Sequence, residues 1–296
     1  MADHSWVEDA SSKDLWKIFT PSAAKDLARS PVGRRTRDLL RELLLKSAGP
    51  QNPCIADVYE AAFAHLSRNQ PAEYFYKNAV LQRSVLSSHG SRRSRVFFEF
   101  RAGKSKLDAL IVRDSMHAYE IKTELDHFRR LPSQIADYQQ RFSHVWLLTS
   151  ERQAARLESQ VADSVGIAYM SSRRTFEILR EASRDTANLR AESILQCLRR
   201  NEYLNVVREF GFSEADIPNT LVFREAMKFA AHLDPEVVHE ATLARLMDRP
   251  RPLSVTALMK LPLYIRAAAV ASRCSDGDVD IILGNLAGKL NHKERA

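Results

Sequence analysis

Two carboxylates and one ammonium stand in a pattern that could do chemistry: Asp108 closes the run from Glu99 to Leu107, and after a short turn come Glu120, Ile121 and Lys122. Side chains alternate along a strand, so Glu120 and Lys122 share a face while Tyr119 and Ile121 point to the other, and a neighbouring strand can present Asp108 beside them. Hard oxygen donors of this kind suit Mg²⁺ or Mn²⁺, and a cation so held could neutralise charge on phosphorus and activate a water in phosphodiester cleavage. The carboxylates of Asp108 and Glu120 would be ligands, and the backbone carbonyl of Ile121 another, if the strand lies near a sheet edge or bulge. A compact ammonium at Lys122 would orient or deprotonate the water, or stabilise the charged transition state. A Glu-x-Lys pair alone is a weak signal, since charged pairs on a half-exposed strand usually face solvent.

The elements that must position these residues follow from periodicity. The segment 13–47 has a helical pattern, with Thr20 and Pro21 as a start signal and Leu39, Leu40, Leu43 and Leu44 on one stripe. Further helices are predicted over 55–66 and from Asn69 to about Gly90, with Pro71 in the first turn. At Arg95 the character changes: Val96, Phe97, Phe98 and Phe100 are β-prone, and Gly103 offers a turn before a second strand over 107–112. A third strand over 117–122 precedes a helix over 132–142, a strand over 145–148, a helix over 152–161 and a strand over 165–170. This order predicts an α/β fold with a mixed central sheet flanked by helices. Beyond about Thr175 the strand signal stops, and helices are predicted over 193–198, 203–210, 222–231 and 235–247, then two more ending near Leu290. The expected organisation is an N-terminal helical segment over 1–68, a core over 69–174 and a helical C-terminal module over 175–296.

Carried by Asp108, Glu120 and Lys122 on successive strands, with Gln134 and Tyr138 on the helix that follows, the chain resembles the PD-(D/E)xK nuclease superfamily and its restriction-endonuclease-like fold. The likeness covers residues 71–170; Leu107 stands where the family's name has proline. The resemblance implies catalytic roles for Asp108, Glu120 and Lys122. In that family an acid from a preceding helix often joins the site, which here matches Glu73, and Glu99 is the competing candidate, with Glu73 preferred. A Gln-xxx-Tyr motif after the lysine strand marks one subgroup, and Gln134 and Tyr138 match it. Four residues apart, they share a helix face and could help hold nucleic acid or Lys122. Gln70 and Tyr74 repeat the spacing, so position after the Glu120 strand is what counts. More narrowly, the segment from Glu120 to Gln134 is similar to an uncharacterised group of bacterial and prophage-associated nuclease-like proteins.

Charge bears on the partner. Against 37 Asp and Glu stand 44 Lys and Arg, a formal net charge of +7, which favours an anionic partner: nucleic acid, acidic protein or anionic membrane. Arg92, Arg93, Arg95, Arg101, Lys104 and Lys106 have only Glu99 opposing them, a density suited to phosphates beside the active-site strands. Arg34, Arg35 and Arg37, at a helix start, read as a solvated group. His117 reads as structural or exposed, His127 with Glu124 and Asp126 as a solvated loop, and Trp6, Trp16 and Trp146 as packing residues. No apolar run approaches the ~20 residues of a spanning helix, and residues 1–10 are too acidic and polar for a signal peptide. Cys54, Cys197 and Cys274 are isolated singletons, compatible with a reducing cytosol. No P-loop, GxGxxG or Ser-His-Asp spacing occurs.

The sequence reading is therefore a cytoplasmic, Mg²⁺- or Mn²⁺-dependent DNA endonuclease, in a setting of phage defence or prophage competition that rests on the resemblance alone. DNA is expected ahead of RNA, with a protein partner or a second copy engaging the C-terminal helices. The alternative is a nuclease scaffold that binds nucleic acid or regulates without turnover.

Overall fold

A computed structural model of the chain describes residues 11–45, 52–69, 72–86, 94–124, 126, 128–171 and 175–290. Its first helices are α1 (Ser12–Trp16), α2 (Pro21–Leu27), α3 (Arg34–Leu45), α4 (Ile55–Asn69) and α5 (Glu73–Leu86), with a 3₁₀ turn at Lys17–Phe19. The single helical pattern over 13–47 is broken, and its residues show why. Pro21 opens α2 behind a Thr20 cap whose Oγ1 accepts the Ala23 N–H. Asp26 then folds back to accept the Thr36 N–H and hydroxyl at 3.3 and 3.0 Å. A Cβ at Gly33 would lie 2.2 Å from the Asp26 carboxylate, so only glycine lets the chain return so closely. Trp16, Phe19, Tyr59, Phe63, Tyr74 and Phe75 build the aromatic core of this region, with Trp16 in the packing role expected of it.

Contacts divide the chain into two compact units, Met1–Leu81 with Arg251–Ala296, and Gln82–Pro250. The divisions between these units fall after Leu81 and after Pro250. In the second unit, β1 (Arg95–Ala102), β2 (Ser105–Val112) and β3 (Met116–Lys122) lead into α6 (Leu131–Gln139), β4 (His144–Ser150), α7 (Glu151–Glu158), β5 (Gly166–Met170) and β6 (Phe176–Arg180). The strands form one mixed sheet in sequence order. Neighbours are antiparallel from β1 to β3, parallel from β3 to β5 and antiparallel again at β6. Helices α6 and α7 are the crossovers that parallel neighbours require.

Strand β6 lies beyond the last predicted strand. It is a five-residue edge strand that alternates half-buried and exposed positions, so it lacks the apolar run that marks a central strand. After it come α8 (Ala191–Leu195), α9 (Arg200–Glu209), α10 (Val222–Ala230) and α11 (Pro235–Met247). These helices do not stand apart from the sheet: Ile194, Val207, Ala226 and Val238 share a buried cluster with Leu110, Ala118, Ile135 and Leu147. Arg249 locks the arrangement, bonding Glu202 at 2.6 and 2.8 Å and lying over the rings of Phe97 and Phe100. The last helices, α12 (Val255–Lys260), α13 (Leu263–Ala271) and α14 (Asp276–Ala287), belong to the first unit. No helix among the described residues is long and apolar enough to cross a membrane.

Candidate functional site around Glu120

The register of the sheet is interrupted on both sides of Asp108. Between β2 and β3 the pairing ends at Ala109 and Tyr119, and the next N–H, that of Ile121, is taken by the Asp108 carboxylate at 2.6 Å. Within a strand the N–H and C=O of one residue point the same way, so the Ile121 carbonyl also faces the β2 side. Between β1 and β2 the pairing skips Glu99, whose φ of 53° is left-handed, a conformation uncommon for any residue but glycine. Glu99 thereby brings a carboxylate oxygen within 4.8 Å of one on Asp108, and it also pairs with Lys106. Strain concentrated at one level of a sheet is characteristic of functional sites.

Glu120 is 3% exposed and accepts three side-chain hydrogen bonds. Its Oε1 accepts from Lys122 Nζ at 2.6 Å and from Gln134 Nε2 at 2.7 Å, and its Oε2 accepts from the Tyr138 hydroxyl at 2.7 Å. A buried carboxylate without partners would destabilise the fold; here three donors, one of them the Lys122 ammonium, satisfy it. Burial and then the Glu120 charge push the Tyr138 phenol well above the usual tyrosine range, so it stays a donor. The pattern that produces this is short: alternation puts Glu120 and Lys122 on one face, and a helical turn puts Gln134 and Tyr138 on another that meets it.

Gln134 and Tyr138, expected to hold nucleic acid or Lys122, both donate to Glu120. Glu73 opens α5 in the first unit, where it pairs with Lys77. Of the basic hairpin, Arg101 and Lys104 are exposed, Lys106 is committed to Glu99, and Arg95 is half-buried. Arg92, Arg93, His127 and Trp6 lie outside the described residues. Sequence reasoning missed the left-handed Glu99, for which an ordinary strand pattern gives no signal. It also missed Arg129 and Arg130, two exposed cations in a 3₁₀ turn directly ahead of α6.

The donor set can be tested for a hard cation on this geometry. A carboxylate offers about four acceptor directions; Glu120 has three filled by the protein, while the carboxylates of Asp108 and Glu99 stand together in an acidic grouping that does not include Glu120. Gln134 Oε1 is buried and has no partner among the described residues, an acceptor that a water or a cation's hydration shell would satisfy. The oxygen-only donors fit Mg²⁺ or Mn²⁺.

Fold and site together define an α/β protein with a six-stranded mixed sheet, flanking helices and a buried carboxylate–lysine cluster. Residues 67–261, about two thirds of the chain, match the family model described as Bacteriophage P4 protein cII, and the chain belongs to that family. No curated protein and no solved structure matches it.

Proposed function

We propose that the second unit is a metal-dependent nuclease of the PD-(D/E)xK type with a restriction-endonuclease-like core, hydrolysing phosphodiester bonds and acting on DNA ahead of RNA. The observation that carries the reading is the convergence of Lys122, Gln134 and Tyr138 on the buried Glu120 carboxylate, with Asp108 fixed to the backbone of the same strand. The order of three antiparallel strands, a crossover helix and a parallel fourth strand is compatible with that core.

Asp108, Glu120 and the Ile121 carbonyl would hold Mg²⁺ or Mn²⁺, with Glu99 the adjacent acid of this unit. Such a cation supplies Lewis acidity toward a phosphoryl oxygen and a bound water of lowered pKa. The chain's own residues do the positioning. Ile121 N–H fixes Asp108 so that its second oxygen can serve the site. Gln134 and Tyr138 fix Glu120, so neither carboxylate must reorganise as charge develops. Lys122 contributes a proton donor on the Glu120 face, able to orient a water or stabilise a developing anion. The family's description names a phage protein, which supports a setting of phage defence or prophage competition.

The test is incubation of the full chain with supercoiled plasmid, single-stranded DNA and RNA in Mg²⁺, in Mn²⁺ and in EDTA. Cleavage in either metal and none in EDTA is expected, with DNA cut fastest. Metal-independent binding without cleavage would replace this reading with that of a scaffold that binds nucleic acid and has lost turnover.

A further inference from the structure

Resting on the nucleic-acid reading above, we infer that the two ends of α6 carry a phosphate track for one nucleic-acid strand, with Arg129 and Arg130 at the amino end and Arg101 and Lys104 at the carboxyl end. The cations nearest the carboxylates are already committed: Lys122 to Glu120, Lys106 to Glu99 and Arg141 to Asp137. They balance local acids and leave little attraction for a polyanion. The other four are exposed and form no ion pair among the described residues.

Their placement is fixed by structure. Arg129 and Arg130 occupy the 3₁₀ turn Phe128–Arg130, which runs directly into α6, and Arg130 is the helix's N-cap, with no side-chain cap hydrogen bond there. The nearby acid Asp126 turns onto Thr123, accepting its N–H and hydroxyl at 2.7 and 2.8 Å. At the other end, the β1–β2 hairpin tip abuts the residues just past α6. A Cβ on Gly103 would lie 2.7 Å from Arg141 Nη2 and 2.6 Å from Gln196 Oε1, and Arg141 donates to the Asp137 carbonyl at 2.7 Å. The tip, with Arg101 and Lys104 beside Gly103, is thereby pinned at the carboxyl end of the helix. Gln134 and Tyr138, holding Glu120, lie between the two cation pairs.

The eleven steps from Arg130 to Arg141 span about 16 Å at helical rise. A duplex strand advances about 3.4 Å per nucleotide, so the track covers roughly five nucleotides, and fewer of an extended single strand. Anchoring phosphates on both sides of the carboxylates would hold the intervening phosphodiester beside a cluster that itself repels it. Contacts to phosphates position a strand without reading its bases, so the track is indifferent to sequence.

The test is equilibrium binding in EDTA, where cleavage does not enter, measured by fluorescence anisotropy of labelled 12-mers of single-stranded DNA, single-stranded RNA and duplex DNA across a salt series. Full-length wild type is compared with Arg129→Ala/Arg130→Ala, Arg101→Ala/Lys104→Ala and, as a control of equal charge loss on α7, Arg152→Ala/Arg156→Ala, each checked for native circular dichroism and melting. Each track variant is expected to weaken binding about tenfold and to lower the slope of log affinity against log salt by about 1.5, while the control leaves both unchanged. The three probes show which nucleic acid the track takes. Wild-type affinity in the track variants, or an equal loss in the control, overturns the track. Wild type that binds through these residues yet cuts nothing in Mg²⁺ or Mn²⁺ upholds the track and overturns only the nuclease reading.

Discussion

The strands β3 and β4 have opposite solutions to burying polar side chains at their two ends. At the carboxyl end, the buried Glu120 carboxylate is satisfied by Lys122, Gln134 and Tyr138, which all donate to it. At the amino end, His117 and His144 stack at 4.3 Å, and on the same face Tyr119 and Trp146 lie parallel at 5.6 Å. Trp146 donates to His117 Nδ1 at 3.3 Å. Burial, then the neighbouring His144 and Arg113, lower His117 to about 3. One end surrounds a buried carboxylate with donors, and the other keeps its imidazole neutral by burial. A structural polar cluster needs only the second solution, and the cost of the first is what singles out the Glu120 end for the proposed chemistry.

The comparison breaks most readily at Lys122. Lys122→Met leaves the buried Glu120 charge without its counter-ion, and urea unfolding should show a loss of about 3 kcal/mol. The double variant Lys122→Met/Glu120→Gln should recover part of it, because a neutral amide needs no counter-ion and its oxygen still accepts a hydrogen bond. If the double variant is as unstable as the single one, the carboxylate is not the source of the cost.

Acid acts on the other end. With its folded pKa below the unfolded value, His117 contributes stability that is present above about pH 6.5 and is lost as pH falls toward 3. Between pH 7 and pH 5 its share should amount to about 2 kcal/mol, and His117→Phe should flatten that part of the stability profile. An unchanged profile would mean the imidazole is solvated.

Two smaller effects sharpen the contrast. Tyr138→Phe removes one charged hydrogen bond from Glu120 Oε2 and should cost about 1.5 kcal/mol by the same unfolding measurement. In the amino-end pair the corresponding Trp146→Phe change should cost less, because its acceptor is neutral. Gly103→Ala, at φ +63° and against Arg141 and Gln196, should cost about 1 kcal/mol and disturb the hairpin; no loss would show that the tip is free to shift.

Much of this arrangement was legible in the sequence because it depends on short-range periodicity. Strand alternation places Glu120 and Lys122 together, and helical spacing places Gln134 and Tyr138 together. The adjacency of β2 and β3, joined by a short turn, brings Asp108 to the same level. What was not legible depends on tertiary partners. The apolar stripes of α8 to α11 say that these helices bury a face, not that the face is the one shared with Leu110 and Leu147. The choice of Glu120 as the acceptor for Gln134 and Tyr138 depends on the rotation of α6 about its axis. The interruption at Glu99 is a backbone strain held by its surroundings, with no residue type to announce it, and β6 is an edge strand too short and too polar to read.

The central proposal is that the carboxylate of Glu120, held in place by Lys122, Gln134 and Tyr138, serves metal-dependent phosphodiester cleavage. The most direct measurement is the cleavage rate of Glu120→Gln, whose amide keeps the shape of the side chain, against wild type in Mg²⁺ and Mn²⁺, with thermal melting to confirm that both are folded. The account predicts that wild type cuts and that the folded variant loses activity by about 10²-fold or more. Equal cleavage by the folded variant would contradict it, since the charge at Glu120 would then have no part in the reaction.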